Sequence, residues 1–177
     1  MNKSRRRAAF VTLVAVSLAL CASAGAEDKS SSDDFSAGID VRPTARVSDI
    51  GLPLYPGALR RHDKHDENPA FSFGLWGGQL GVRIYVIKYR SHDGIGTVGD
   101  FYRQAMAQYG TILDCSEHPS PGSISSNSQG LDCDDEHPES GEQIYKVGSK
   151  SDQRIVALRP VGGEVHFQLV RVSIKGG

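Results

Sequence analysis

The 177-residue sequence predicts an α+β fold: a mostly antiparallel sheet of about seven strands with one amphipathic helix packed on one face. Three observations carry this prediction. Short segments between residues 58 and 174 alternate apolar and polar residues with period two. Only one segment, "TVGDFYRQAMAQYG", has the helical period. The strand-like segments are separated by polar or glycine-rich turns, and a doubly wound parallel sheet would need several crossover helices. One helix lying across one face of an antiparallel sheet is the simplest two-layer solution.

The N-terminus reads as a targeting segment. A basic stretch, MNKSRRR, precedes an apolar run from Ala8 to Leu20 and the small-residue site Ala24-Gly25-Ala26, the layout of a bacterial-type secretory signal peptide over residues 1–26. Leu18-Ala19-Leu20-Cys21 offers a second route, lipidation at Cys21 and a lipid anchor. Arg5-Arg6 resembles a twin-arginine pair, but Ala8 and Ala9 replace the hydrophobic residues expected next. Residues 27–45 are polar, Ser/Asp-rich and read as a disordered linker, because they bury too little to offset the entropy of ordering. Residues 46–177 form the single folded domain. No later stretch is long and apolar enough for a membrane span. The expected location is therefore periplasmic or extracellular.

Residues 1–26 hold four of the 20 basic residues and none of the 21 acids, so the remainder carries 16 against 21, a net charge of −5. That sign, and the lack of a dense basic run with interleaved aromatics, argues against nucleic acid as a partner.

Along the domain, Tyr55-Pro56-Gly57-Ala58 has the chemistry of a type II turn, with proline at the second position and glycine supplying positive φ at the third. A short strand follows over 58–62, then the loop "DKHDENP". Phe71, Phe73 and Leu75 alternate with Ser72 and Gly74 in the next strand, and Gly77-Gly78 marks a hairpin into "LGVRIYVIKYR". That run has Val82, Ile84 and Val86 on one face and Tyr85, Ile87 and Tyr89 on the other, as a long central strand does. In the helix, Val98, Phe101, Tyr102, Ala105, Met106 and Tyr109 form one stripe, with Thr97 or Asp93 as cap and Gly110 as stop. "TILDCS", "GLDCDD", "QIYKVG", "QRIVALRP" and "EVHFQLVRVSI" are the remaining strands. The last two are joined by a hairpin over Pro160-Val161-Gly162-Gly163, with Val165, Phe167 and Leu169 turned inward.

"GLPLYPGA", the helix "FYRQAMAQYG" and the two cysteines beyond it resemble a group of uncharacterised exported bacterial proteins with a Y-P-G-A turn, an F-Y-containing helix and a C-terminal cysteine pair. The resemblance spans most of residues 49–174. It implies compartment and fold, and it carries over no functional residue.

Leu-Asp-Cys occurs twice, in "ILDCSEHP" and "GLDCDDEHP". Cys115 and Cys133 are the only cysteines after residue 26, and an oxidising compartment favours a disulfide between them. The alternative is a metal site built from Cys115, His118, Cys133 and His137 with Asp132, Asp134 and Glu136 around it, although the Cys/His spacing differs from that of structural zinc motifs. Calcium fits less well, since His137 stands where an EF-hand loop needs glycine and Gln143 where it needs glutamate. "GIGTVG" at 94–99 matches a dinucleotide fingerprint with Asp114 as its distal acid, but Arg90-Ser91-His92-Asp93 separates it from the preceding strand. The expected role is a loop leading into the helix.

His62 and His65, among Asp63, Asp66 and Glu67, read as a solvated loop. His92 and His166 are isolated, the latter on the strand face opposite Val165 and Phe167 and so expected to be exposed or on the sheet rim. Trp76, at a hairpin tip, is expected to pack over the sheet edge, with an exposed recognition role as the alternative. No catalytic motif occurs, so no catalytic residue and no cofactor are assigned. The expected function is an exported binding or structural interaction module stabilised by the disulfide, acting on a protein or small-molecule partner. A metal-binding protein is the alternative, and an enzyme the third class.

Overall fold

Period-two alternation across residues 80–91 produces the strand on which the whole sheet is built. In the computed structural model, which describes residues 37–62, 68–116 and 126–176, eight strands form one sheet. They are β1 (Ala37–Arg42), β2 (Leu59–Arg60), β3 (Ala70–Gly77), β4 (Leu80–Ser91), β5 (Leu113–Asp114), β6 (Gln143–Ser149), β7 (Asp152–Val161) and β8 (Glu164–Lys175). Their order is β1-β3-β4-β8-β7-β6-β5, every pairing is antiparallel, and β2 continues the line of β3 along β4. Two helices complete the domain: a single turn, α1 (Val47–Ile50), and the expected amphipathic helix, α2 (Ile95–Met106), prolonged by a 3-10 turn to Tyr109. The described residues all belong to one compact unit, Asp34–Gly177. The signal segment, Cys21, His65 and His118 lie outside the described residues.

The α+β class, the central strand and the helix are as the sequence predicts. The hairpin between β7 and β8 turns on Gly162 and Gly163, with φ of 58° and 86°. Two consecutive positive φ values define the type I′ turn whose twist matches the strands it joins. The Tyr55 turn closes with the Ala58 N–H on the Tyr55 carbonyl at 3.0 Å, and Gly57 has φ 75°.

Four local expectations need correction. Residues 37–42, assigned to the linker, form β1, because Ile39 and Val41 alternate with Gly38, Asp40 and Arg42 and the backbone pairs along β3. The expected strand over 58–62 shrinks to two residues. "GLDCDD" is a turn with one isolated bridge, Ser126 to Asp132. No side chain caps α2: its N-cap is Gly94, Thr97 lies inside the helix, and the Asp93 carboxylate instead accepts the Tyr55 hydroxyl at 2.6 Å.

The core lies between α2 and the sheet. Val98, Tyr102 and Met106 bury one stripe of α2 against Ile87, Tyr89, Val156, Leu158, Phe167 and Leu169. Phe167 is the hub: its ring stacks on Tyr89 at 5.6 Å and packs tilted on Tyr102 at 5.6 Å. Tyr102 is fully buried, and burial pushes its phenol up. Its hydroxyl oxygen accepts the Tyr55 N–H at 3.3 Å, tying the turn to the helix.

Around α1, the Arg171, Arg154 and Tyr109 side chains donate to the carbonyls of Asp49, Ile50 and Gly51 respectively, filling acceptors that a one-turn helix leaves open. Arg154 also lies 3.7 Å over the Tyr109 ring.

Truncating the hub should be costly. Phe167→Ala is expected to lower unfolding free energy by about 3–5 kcal/mol, the range for removing a large buried aromatic. Urea unfolding followed by circular dichroism checks it.

Candidate functional site

The two Leu-Asp-Cys segments meet as a staple. Cys115, just past β5, is bonded to Cys133, with Cα atoms 5.5 Å apart. Both are buried with Ile144 against Leu113, Ile155 and Ala157, on the sheet face opposite α2. The bridge pins residues 131–137 over β5, β6 and β7. Beneath them Lys146 is buried, its ammonium donating to the Asp132 carbonyl at 3.1 Å and pairing with Glu136 at 2.7 Å.

Of the residues weighed as metal ligands, His118 lies outside the described residues, and the others have positions of their own. The sulfurs are bonded to each other, Glu136 is committed to Lys146, Asp132 faces Lys150 at 3.5 Å, and Asp134 and His137 are exposed. Among the described residues no group of three or more His, Cys, Asp or Glu side chains has an arrangement that could hold a metal ion. Asp114 accepts from the backbone and hydroxyl of Ser116, a local turn.

The glycine motif at 94–99 also has a packing role. Gly96 and Gly99 lie within α2, and a Cβ on Gly99 would collide with Gln143 on β6. Among the described residues every strand pair is antiparallel, so they contain no βαβ unit to present a dinucleotide.

His92 and His166 share one acid. Glu164, at the start of β8, accepts from Arg90 at 2.8 Å, with His92 at 3.5 Å and His166 at 3.6 Å. The Arg90 hydrogen bond holds the Glu164 carboxyl below its usual range. Burial, then the Arg61 charge, lowers His166, whose Nδ1 lies 3.1 Å from the Arg61 guanidinium. The recess beside it, about 240 Å³, is lined by Arg61, Glu142, Arg159 and His166 among others, with no serine, threonine or cysteine in its wall.

The larger feature is a bare apolar face. On the side away from α2, cross-strand register aligns Ile39, Leu75, Val82 and Ile174 in one row. Val41, Phe73, Ile84 and Val172 form the next row, and Phe71, Val86, Val170 and Ile155 the third. The disulfide-pinned segment covers the β5–β7 half of this face. Over β1, β3, β4 and β8 no described element lies above these rows. Ile39 is 68% and Val41 65% exposed, and five of the nine exposed large hydrophobic residues among the described residues, Ile39, Val41, Leu75, Leu80 and Ile174, sit together there. Contiguous exposed apolar surface of this kind marks an interaction site.

No protein-family model, curated protein or solved structure matches the chain.

The sequence carried a signal for this face in the apolar residues on both sides of residues 82–89, but Ile39 and Val41 were hidden within the expected linker. Among the described residues no helix is long and apolar enough to cross a membrane.

Two predictions follow from these geometries. Cys115 and Cys133 are 18 residues apart, so the bridge should contribute about 3 kcal/mol in the chain-entropy model. The double variant Cys115→Ser/Cys133→Ser, or thiol reduction, is expected to lower the urea midpoint accordingly. For His166, the folded pKa lies below the unfolded value of about 6.5, so the unfolded state binds more protons between the two values. This contribution is complete above about pH 6.5 and is lost as pH falls towards the folded pKa. Stability measured across that window should rise with pH, and His166→Gln should flatten that part of the profile.

Proposed function

We propose that this protein is an exported binding module that works through the bare face of β1, β3, β4 and β8, and that the occupant of that face is a second copy of the chain. The observation that carries the proposal is the three-row apolar surface. Its rows on these four strands contain no charged side chain, so a two-fold copy meets no repulsion there. An isologous contact needs such self-complementarity.

The shape of the face supports a stacked pair. A two-fold axis parallel to the strands sets bare half on bare half, about 10 Å apart as in a β-sandwich. Each copy's β1 edge then lies beside the other's disulfide-pinned segment, protecting an edge strand that otherwise invites aggregation. The magnitude favours weak association. Four strands at about 4.8 Å spacing and about six residues at about 3.4 Å give about 400 Å² of sheet, half of the roughly 800 Å² each partner brings to a standard interface. Export is supported by the targeting pattern of residues 1–26 and by a disulfide suited to an oxidising compartment.

Sedimentation velocity on the purified protein from micromolar to millimolar concentration tests this. The expected result is a concentration-dependent dimer, weakened at least tenfold by Val41→Asp, a change at an exposed position that the fold tolerates. A monomer throughout the range, or a dimer indifferent to Val41→Asp, overturns it.

A further inference from the structure

The same half of the sheet carries a second, chemically different surface on its other side. α1 packs on β4 and β8 and α2 on β6 and β7, leaving the β1–β3 end of that face uncovered by either helix. A groove of about 310 Å³ occupies it, at the lower end of the range of about 300–1,000 Å³ for small-molecule sites. Its floor is set by register: Asp40, Gly74 and Arg83 lie in one row, and Arg42, Ser72 and Tyr85 in the next. The chain between β1 and α1 supplies a wall bearing Thr44 and Arg46.

Three guanidinium groups line this groove in a chain whose charge is otherwise acidic. Arg42 is paired with Asp40 at 2.6 Å. Among the described residues neither Arg46 nor Arg83 has an ion-pair partner, and both are exposed. Asp49, the other acid in the lining, directs its carboxylate at the Arg46 backbone N–H at 2.8 Å. The groove therefore presents two guanidinium forks, each matched in shape to a carboxylate or sulfate.

Trp76 closes one end. Its indole lies across β1 at Gly38, where a Cβ would stand 2.5 Å from the ring, and it also passes 3.7 Å from the Cβ position of Gly74. Glycine at 38 lets the ring lie against the strand, and the residue remains 42% exposed. The indole is thus a platform, packed on backbone from below and open above. Trp76 thus packs over the sheet edge while part of its ring stays exposed.

We infer that this groove binds an anionic saccharide: the apolar C–H face of a sugar ring stacks on Trp76, its hydroxyls bond Asp40, Ser72 and Thr44, and its acid group is held by Arg46 and Arg83. A simple anion would need the arginines but not the indole platform. A neutral sugar would need the platform and hydroxyl partners but not two unpaired guanidinium groups. Both features in one groove select a ligand with both chemistries.

Trp76 is the only tryptophan in the chain, so its emission reports on this groove directly. Titration with an oligogalacturonate (carboxylate) and with a heparin-derived oligosaccharide (sulfate) is expected to give a saturable emission change with at least one. Arg83→Ala should weaken that binding at least tenfold, and Trp76→Ala, followed by calorimetry, should weaken it similarly. A neutral oligosaccharide should leave the emission unchanged. No saturable response to either acidic saccharide, an equal response in Arg83→Ala, or an equal response to inorganic sulfate alone overturns the inference. Because the groove is on the face opposite Val41, Val41→Asp should leave saccharide binding intact, which separates this outcome from that of the self-association experiment.

Discussion

The antiparallel ladder between β4 and β8, running from Gly81 opposite Lys175 to Ser91 opposite Val165, is the constraint on which the rest of the molecule depends. Side chains alternate along both strands, so this one register decides both faces together. It puts Ile87 and Tyr89 beside Leu169 and Phe167, beneath α2, and Ile84 and Val86 beside Val172 and Val170 on the other side. A slip of one residue would carry the helix-binding aromatics to the bare face. The aromatic hub, the apolar rows and the arginine groove all inherit their positions from this pairing.

The sheet is larger than the layers that cover it, and this mismatch organises the surface. α2 shields one side of the β6–β7 end, and the disulfide-pinned segment shields the other. The β1–β3 end has neither. Polar interactions take over where helix packing stops: Asp152 receives Arg171 at 2.8 Å, and although its burial alone would raise its carboxyl, the two neighbouring arginines, Arg171 and Arg154, hold it below its usual range. Those arginines in turn fill the acceptors at the end of α1, so a helix of one turn persists by tertiary contacts rather than by propensity.

Much of this was legible from local pattern. Residues 80–91, the helix stripe from Val98 to Met106, the two glycine-bearing hairpins and the cysteine pair each announce themselves within a short window. β1 does not, because its two apolar residues are flanked by Ser, Asp and Pro and its stability comes from β3, some thirty residues away. α1 has the same character, being held by side chains from β7 and β8. "GLDCDD" misleads in the opposite sense: Leu131 and Cys133 are buried, but the segment is held by the disulfide and by Lys146 donating to the Asp132 carbonyl rather than by strand pairing. The candidate surfaces were half visible. Apolar residues on both sides of 82–89 reveal two hydrophobic faces, but which face stays open depends on where distant segments lie, and the arginine groove joins residues from β1, β3, β4 and the chain that runs from β1 into α1.

The β4–β8 ladder also has a temporal consequence. The neighbouring hairpins, β3 with β4 and β7 with β8, close over turns of two residues and can form within microseconds. The ladder that unites them joins positions 81–91 to positions 165–175, so the centre of the sheet waits for a long loop to close. Phe167 arrives with that last strand, and without it the aromatic stripe of α2 has no hub to pack on. The hairpins can therefore close early, while the centre of the sheet and the packing of α2 wait for β8.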